Sequence, residues 1–208
     1  MFKQLQDFLF PQEKIDVDNL TLVFPQVCPV CGRASWEGLT HPRCRTKYQL
    51  DGLYTIYRYK GQVRRILSQA KFNPFTFSNY EVLMENKIVF PKWCQGALVP
   101  IPLHPIKLRL RGFNQAEIIA KILGKKLGLP VVTNILKRKI YTRPQKKLNK
   151  KERLENIVQA FTVCKPAPKL NTIILVDDIW TTGATLRVCG KLLKITGVKT
   201  VFAVTLAM

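Results

Sequence analysis

Acidic side chains are scarce in this sequence: 13 Asp and Glu stand against 34 Lys and Arg in 208 residues, a formal charge of +21. A chain this far from neutrality attracts polyanions whatever else it does. Long apolar runs are missing as well. Nothing approaches the ~18 consecutive apolar residues of a membrane span, and Met1 to Phe10 breaks too short an apolar stretch with Lys3 and Asp7 to serve as a secretion signal. No internal repeat is present. The expected site of action is therefore the cytoplasm, with no membrane span. What remains is sufficient to fold: hydrophobic residues make up 47% and aromatics 10% of the chain, and a mean hydropathy of -0.01 argues against general disorder. The length suits one domain with a small appendage.

Cysteine is sparse but unevenly placed, with six residues at 28, 31, 44, 94, 164 and 189. In a reducing compartment the clustered three suggest metal rather than disulfide. Cys28-Pro29-Val30-Cys31, nine residues, then His41-Pro42-Arg43-Cys44 gives C-x2-C-x9-H-x2-C, two ligand pairs joined by a short loop. That spacing can close a tetrahedral zinc site around Cys28, Cys31, His41 and Cys44. A single Cys-x2-Cys would equally suit a redox pair or two core thiols, and the second pair is what favours zinc. With all four positions filled by protein atoms, the metal would be structural and would hold together a segment too small to fold alone. Cys94, Cys164 and Cys189 lie in apolar contexts and read as buried thiols.

The basic excess has a location. His104 to Arg153 carries 15 Lys and Arg against Glu117 and Glu152, whereas the first fifty residues hold six basic and five acidic groups. Lys137 to Arg153 alone has nine basic residues in seventeen, interrupted by Pro144 and Asn149, and reads as a basic loop region. A solvated face is the ordinary explanation for one charge run, but here a nucleic-acid backbone or phosphate is favoured, with affinity falling steeply with salt and weak sequence preference. Tyr141 could stack on a base or pack against the core.

Strands and helices alternate along the chain. Phe2 to Phe10 suits a short amphipathic helix and Glu13 to Asn19 a polar connection. Leu53 to Tyr59 reads as a strand, Val63 to Lys71 as a helix, Ala97 to Ile101 as a buried strand, and Asn114 to Leu127 as a helix stopped by Gly128 and Pro130. Ile173 to Val176, Leu186 to Ile195 and Val198 to Leu206 continue as strand, helix, strand. This order predicts an α/β fold: a parallel sheet with helices on both faces. The division falls near residue 50, with the helix and zinc-binding segment in 1–50 and the sheet domain in 51–208.

The most informative stretch runs from Ile173 to Thr185. Four aliphatics, Ile173 to Val176, deliver Asp177 and Asp178 to the carboxyl end of a strand, where open α/β sheets bind their ligands. A hydroxyl-rich turn, Thr181-Thr182-Gly183-Ala184-Thr185, then opens a helix whose free N–H groups can hold a phosphate. The carboxylates can accept hydrogen bonds from sugar hydroxyls, directly or through magnesium. The plain alternative is that the acids end a strand and cap a helix.

The Ile174 to Thr185 stretch resembles the phosphoribosyl diphosphate motif of type I phosphoribosyltransferases. Pro100 to His104 leading to Arg111-Gly112-Phe113-Asn114-Gln115-Ala116, and Leu136-Lys137-Arg138 through Gln145, Leu148, Arg153 and Asn156 to Ala160-Phe161, are similar to the ComF family of competence proteins. The resemblance covers nearly the whole chain. It implies a type I phosphoribosyltransferase-like domain behind a small N-terminal zinc knuckle, and a role in taking up single-stranded transforming DNA beside a helicase. It further implies that Asp177 and Asp178 meet ribose hydroxyls and magnesium and that Thr181, Thr182, Gly183, Ala184 and Thr185 cradle the 5-phosphate. Pro102 to Arg111 falls at the family's diphosphate loop, making Lys107, Arg109 and Arg111 candidate contacts. Arg143, Gln145 and Arg153 fall in the part resembling the flexible cover of the pocket. Relatives usually carry cysteine where His41 stands; imidazole keeps the ligand count intact.

Three functions fit. The chain is a single-stranded DNA-binding uptake protein that retains a phosphoribosyl diphosphate pocket; or a working transferase that moves phosphoribosyl to a nitrogen acceptor; or a zinc-containing regulator that senses a nucleotide. Magnesium and basic residues would serve diphosphate departure in the second, but no segment identifies an acceptor.

Overall fold

A computed structural model describes residues 20–23, 25–71, 77–85, 88–139, 160–164 and 170–208. The expected Phe2 to Phe10 helix, Glu13 to Asn19, Tyr141, and the basic run from Arg143 to Arg153 lie outside the described residues.

Four strands form one parallel sheet: β1 (Gly52–Tyr57), β2 (Ala97–Pro100), β5 (Thr172–Ile179) and β6 (Thr200–Ala207), in the order β1-β6-β5-β2. A second, antiparallel pair joins β3 (Leu136–Arg138) to β4 (Phe161–Val163). The helices are α1 (Gly61–Gln69), α2 (Phe77–Glu85), α3 (Pro105–Arg111), α4 (Gln115–Leu127) and α5 (Ala184–Ile195).

The central strands are apolar on both sides because both faces of the sheet are covered. Side chains alternate along a strand, so Ile174, Val176, Phe202 and Val204 meet one layer, with Val63 and Ile66 of α1, Leu83 of α2 and Ile119 and Leu123 of α4. Ile173, Leu175, Val201 and Ala203 meet the other, with Leu186, Cys189 and Leu193 of α5 and Leu136 and Phe161 of the hairpin. Each fully buried aliphatic of this kind contributes about 1.5–3 kcal/mol relative to exposure. Cys94 and Cys189 are buried as expected, while Cys164 is only half-buried.

α2 and the β3–β4 pair were not expected from the sequence, and two further differences bear on the site. The strand expected to end at Val176 runs on through Asp177 and Asp178 to Ile179, because Asp177 and Ile179 keep their register with Thr205 and Ala207 of β6. The segment read as a diphosphate loop is helical from Pro105 to Arg111. His104 caps it, its Nδ1 accepting from the Ile106 N–H at 3.2 Å, and Pro105 occupies the first turn.

The Cys/His segment lies against the edge of the sheet. Val23 N–H donates to the Ile56 carbonyl at 3.0 Å, the Gln26 side chain bonds both the N–H and C=O of Thr55, and Leu39 bridges to Gly52. Pairing of this kind covers the outer edge of β1.

Candidate functional site: an acidic pair, a phosphate-type turn and a cysteine-histidine cluster

The last residues of β5 carry the acids into a crowded place. Alternation sends Asp177 to the α5 and hairpin side and Asp178 to the α1, α2 and α4 side. Their neighbours agree: Asp177 lies within electrostatic reach of Arg138 and Cys189, and the Asp178 carboxylate is 3.7 Å from the Lys71 ammonium and close to Tyr80. The two remain coupled, with Asp177 Oδ1 accepting from the Asp178 N–H at 2.9 Å. Burial, and next the Asp178 charge, hold the Asp177 carboxyl well above the usual carboxylate range.

Cationic groups surround the pair. Burial, then the charges of Arg138, Arg111 and Lys71, hold the Lys107 ammonium below its ordinary value, so these four basic side chains share one basin. Lys107 and Arg111 are four residues apart on α3 and face this basin; Arg109 is exposed on the other side of the helix. The structure thus gathers Lys107 and Arg111 with the acids and leaves Arg109 outside.

Four further members escaped the sequence reading: Lys71, Tyr80, Gln115 and Arg138. Gln115 accepts from Arg111 through Oε1, and Asn114 ties the start of α4 to β2 by donating to the Ile101 carbonyl at 3.0 Å. The Tyr80 hydroxyl and Gln115 Nε2 are buried beside each other, and among the described residues neither meets hydrogen-bond geometry with any other group. Gln115 and Arg138 stand inside the family-like motifs, but only the fold brings Lys71 and Tyr80 to them.

Beyond β5 the chain turns through Trp180, Thr181, Thr182 and Gly183 into α5. Gly183 has φ 70°, and a Cβ there would lie 2.1 Å from the Trp180 ring, so only glycine fits. Thr181 and Thr182 are exposed, and Thr182 Oγ1 is 3.4 Å from the Ala184 N–H it accepts from. Gly183 gives α5 no side-chain cap. Apart from the Ala184 N–H held by Thr182, the first-turn N–H groups of α5 lie at the free end of the helix, where such groups can meet an anion.

The expected metal ligands also converge. One ligand atom from each of Cys28, Cys31, His41 and Cys44 lies within 4.8 Å of all the others; in a tetrahedral zinc site with Zn–S of about 2.3 Å, ligand atoms sit roughly 3.8 Å apart. His41 Nε2 is 3.0 Å from the Ala34 carbonyl oxygen, which can only accept, so Nδ1 is left as the lone-pair nitrogen, 3.4 Å from Cys31 Sγ. Burial opposes ionisation of Cys28, but the backbone N–H groups of Cys31, His41 and Val30 outweigh it and bring the thiol down to about 7. Burial, and then the Cys31 and Cys28 thiols, push Cys44 up. The donor set is compatible with structural zinc.

Among the described residues no helix is long and apolar enough to cross a membrane.

Comparison with known proteins gives the phosphoribosyl transferase domain over residues 110–208. Competence protein F of Haemophilus influenzae is 38% identical over 105 residues, covering 50% of this chain and 46%, about half, of that protein. Competence protein ComFC of Bacillus subtilis is 30% identical over 203 residues, covering 89% of this chain and 80% of that protein. DNA utilization protein YhgH of Salmonella typhimurium is 27% identical over 184 residues, covering 84% and 81%.

Proposed function

The chain belongs to the ComF family of competence proteins and carries a phosphoribosyltransferase-type domain, and from that premise we propose that it binds single-stranded DNA during uptake of transforming DNA while retaining a magnesium-dependent phosphoribosyl diphosphate pocket. The observation that carries the pocket is the coincidence, at one end of β5, of two coupled carboxylates, a glycine-specific turn opening a helix, and a basin of four basic side chains. In this reading Asp177 and Asp178 take the ribose hydroxyls and the magnesium ion, residues 181–185 hold the 5-phosphate, and Lys107 and Arg111, with Arg138, neutralise the diphosphate. Lys71 would release Asp178 to the incoming ligand and turn to its anionic side. Bound magnesium would supply charge neutralisation to the diphosphate oxygens.

The DNA part of the reading rests on the +21 charge, its concentration between His104 and Arg153, and the names of the relatives. Of the residues that flank this run, Lys139 donates its N–H to the Ala160 carbonyl at 2.8 Å, and His104 Nε2 lies 3.3 Å from the Lys139 carbonyl oxygen. In this reading the protein acts in the cytoplasm, with an uptake helicase as the expected partner.

The test separates the two ligands. Asp178→Asn is expected to weaken phosphoribosyl diphosphate binding, measured calorimetrically with magnesium, by tenfold or more while single-stranded DNA affinity changes little, since a carboxylate cannot favour a polyanion. Equal weakening of both would sink the two-site picture. The competing reading, an active transferase, is favoured by the completeness of the donor side. Diphosphate release from labelled donor that depends on a nitrogen acceptor would promote it.

A further inference from the structure

Arg187, on the first turn of α5, joins two parts of the molecule that lie 158 residues apart in sequence. Its Nε and Nη2 donate to the Pro29 carbonyl oxygen at 2.9 and 2.6 Å, and its Nη1 donates to the Thr182 carbonyl oxygen at 3.1 Å. The guanidinium carbon sits 5.2 Å from the centroid of the Trp180 ring, the same ring that leaves no room for a Cβ at Gly183. Pro29 stands between Cys28 and Cys31, inside the first ligand pair of the cysteine-histidine cluster, and Thr182 and Gly183 form the turn at the start of α5. One half-buried, planar and permanently charged fork therefore fixes the separation between the metal segment and the anion turn.

We propose that Arg187 is a positioning residue that couples metal occupancy of the Cys28, Cys31, His41, Cys44 cluster to the shape of the turn at 181–185. This deepens the pocket reading above and rests on it for the identity of the ligand. With the metal held, the Pro29 carbonyl stays where the fork reaches it; the third donor then keeps the Thr182 carbonyl pointed at the guanidinium and away from an arriving phosphate. Without the metal, the Cys28 to Cys31 loop loses its cross-link, Arg187 loses both hydrogen bonds to the Pro29 carbonyl, and the turn loses its clamp. The cluster is a buttress of the pocket.

The experiment compares zinc-loaded and chelator-stripped full-length protein by hydrogen exchange over residues 180–187 and by titration with phosphoribosyl diphosphate and magnesium. Arg187→Gln and Arg187→Lys are carried in parallel with zinc content measured. Stripping the wild type should speed exchange at Ala184 and Arg187, whose N–H groups bond Thr182 Oγ1 and the Gly183 carbonyl, and weaken donor affinity, each within the roughly 5- to 150-fold range of site-to-site couplings. Arg187→Gln should keep its zinc, start from the loosened turn and respond little to stripping; Arg187→Lys, which lacks the fork, should fall between. An unchanged turn in the stripped wild type overturns the proposal. So does an Arg187→Gln protein as sensitive to stripping as the wild type, or exchange that rises equally through β5 and β6, which is general loosening. If Arg187→Gln does not fold, the wild-type and Arg187→Lys arms decide. Zinc-dependent tightening of the turn through Arg187, with no donor bound under any condition, would leave the coupling standing and remove the pocket reading instead.

Discussion

At Asp177 the demands of folding and of the proposed ligand binding oppose each other. Its carboxyl is raised well above the usual range by burial and by Asp178. A raised carboxyl is penalised in the folded state once ionised, so the cost is absent in acid, sets in as pH climbs past the unfolded value of about 3.9, and is complete above the folded value. Asp177→Asn should therefore raise Tm at pH 8, by roughly 2–4 °C per kcal/mol relieved, with the gain vanishing near pH 4. The same variant should lose magnesium-dependent donor binding. Thermal scans across pH with donor absent check the first half, and a wild type equal in stability to the variant at pH 8 would contradict it. The acids were legible in the sequence because two adjacent carboxylates follow four aliphatics. Their separation onto opposite faces was not, since it depends on the strand holding register with β6 as far as Ile179.

At the scale of elements, α3 decides which of three basic residues matters. Sequence reading offered Lys107, Arg109 and Arg111 as equivalent members of a loop; the helix turns Lys107 and Arg111 toward the acids and Arg109 to solvent. Lys107→Met and Arg111→Met are each expected to reduce donor affinity about tenfold or more, and Arg109→Met to leave it within about twofold, by calorimetry. A reduction at Arg109 matching that at Arg111 would mean the helix rearranges on binding. Pro105 after a capping His104 is a helix-start signal that could have been read; the surrounding basic charge and the short length masked it. The hairpin of β3 and β4 had no local signal, because its strands have three residues each and are separated by more than twenty.

The whole molecule combines a half-buried acidic pair with a cationic surround. In the proposed reading, long-range attraction belongs to the net charge of +21 and short-range selection to the pocket. Neutralising Lys146, Lys147, Lys150 and Lys151 to Gln should weaken single-stranded DNA binding and flatten its salt slope by about 0.7 for each DNA phosphate that no longer meets a lysine, while donor affinity holds. Fluorescence titrations between low and high salt measure this, and an unaltered slope would move the DNA surface elsewhere. Composition, the Cys/His spacing, the order of strands and helices, and the run from Ile173 to Thr185 were set by sequence alone, because each depends on neighbours within about a dozen residues or on a simple count. The basin of Lys71, Lys107, Arg111 and Arg138 and the Arg187 link to Pro29 came only with the tertiary structure. Their partners lie far apart along the chain, and only packing on both faces of one sheet brings such distant groups within a few ångströms.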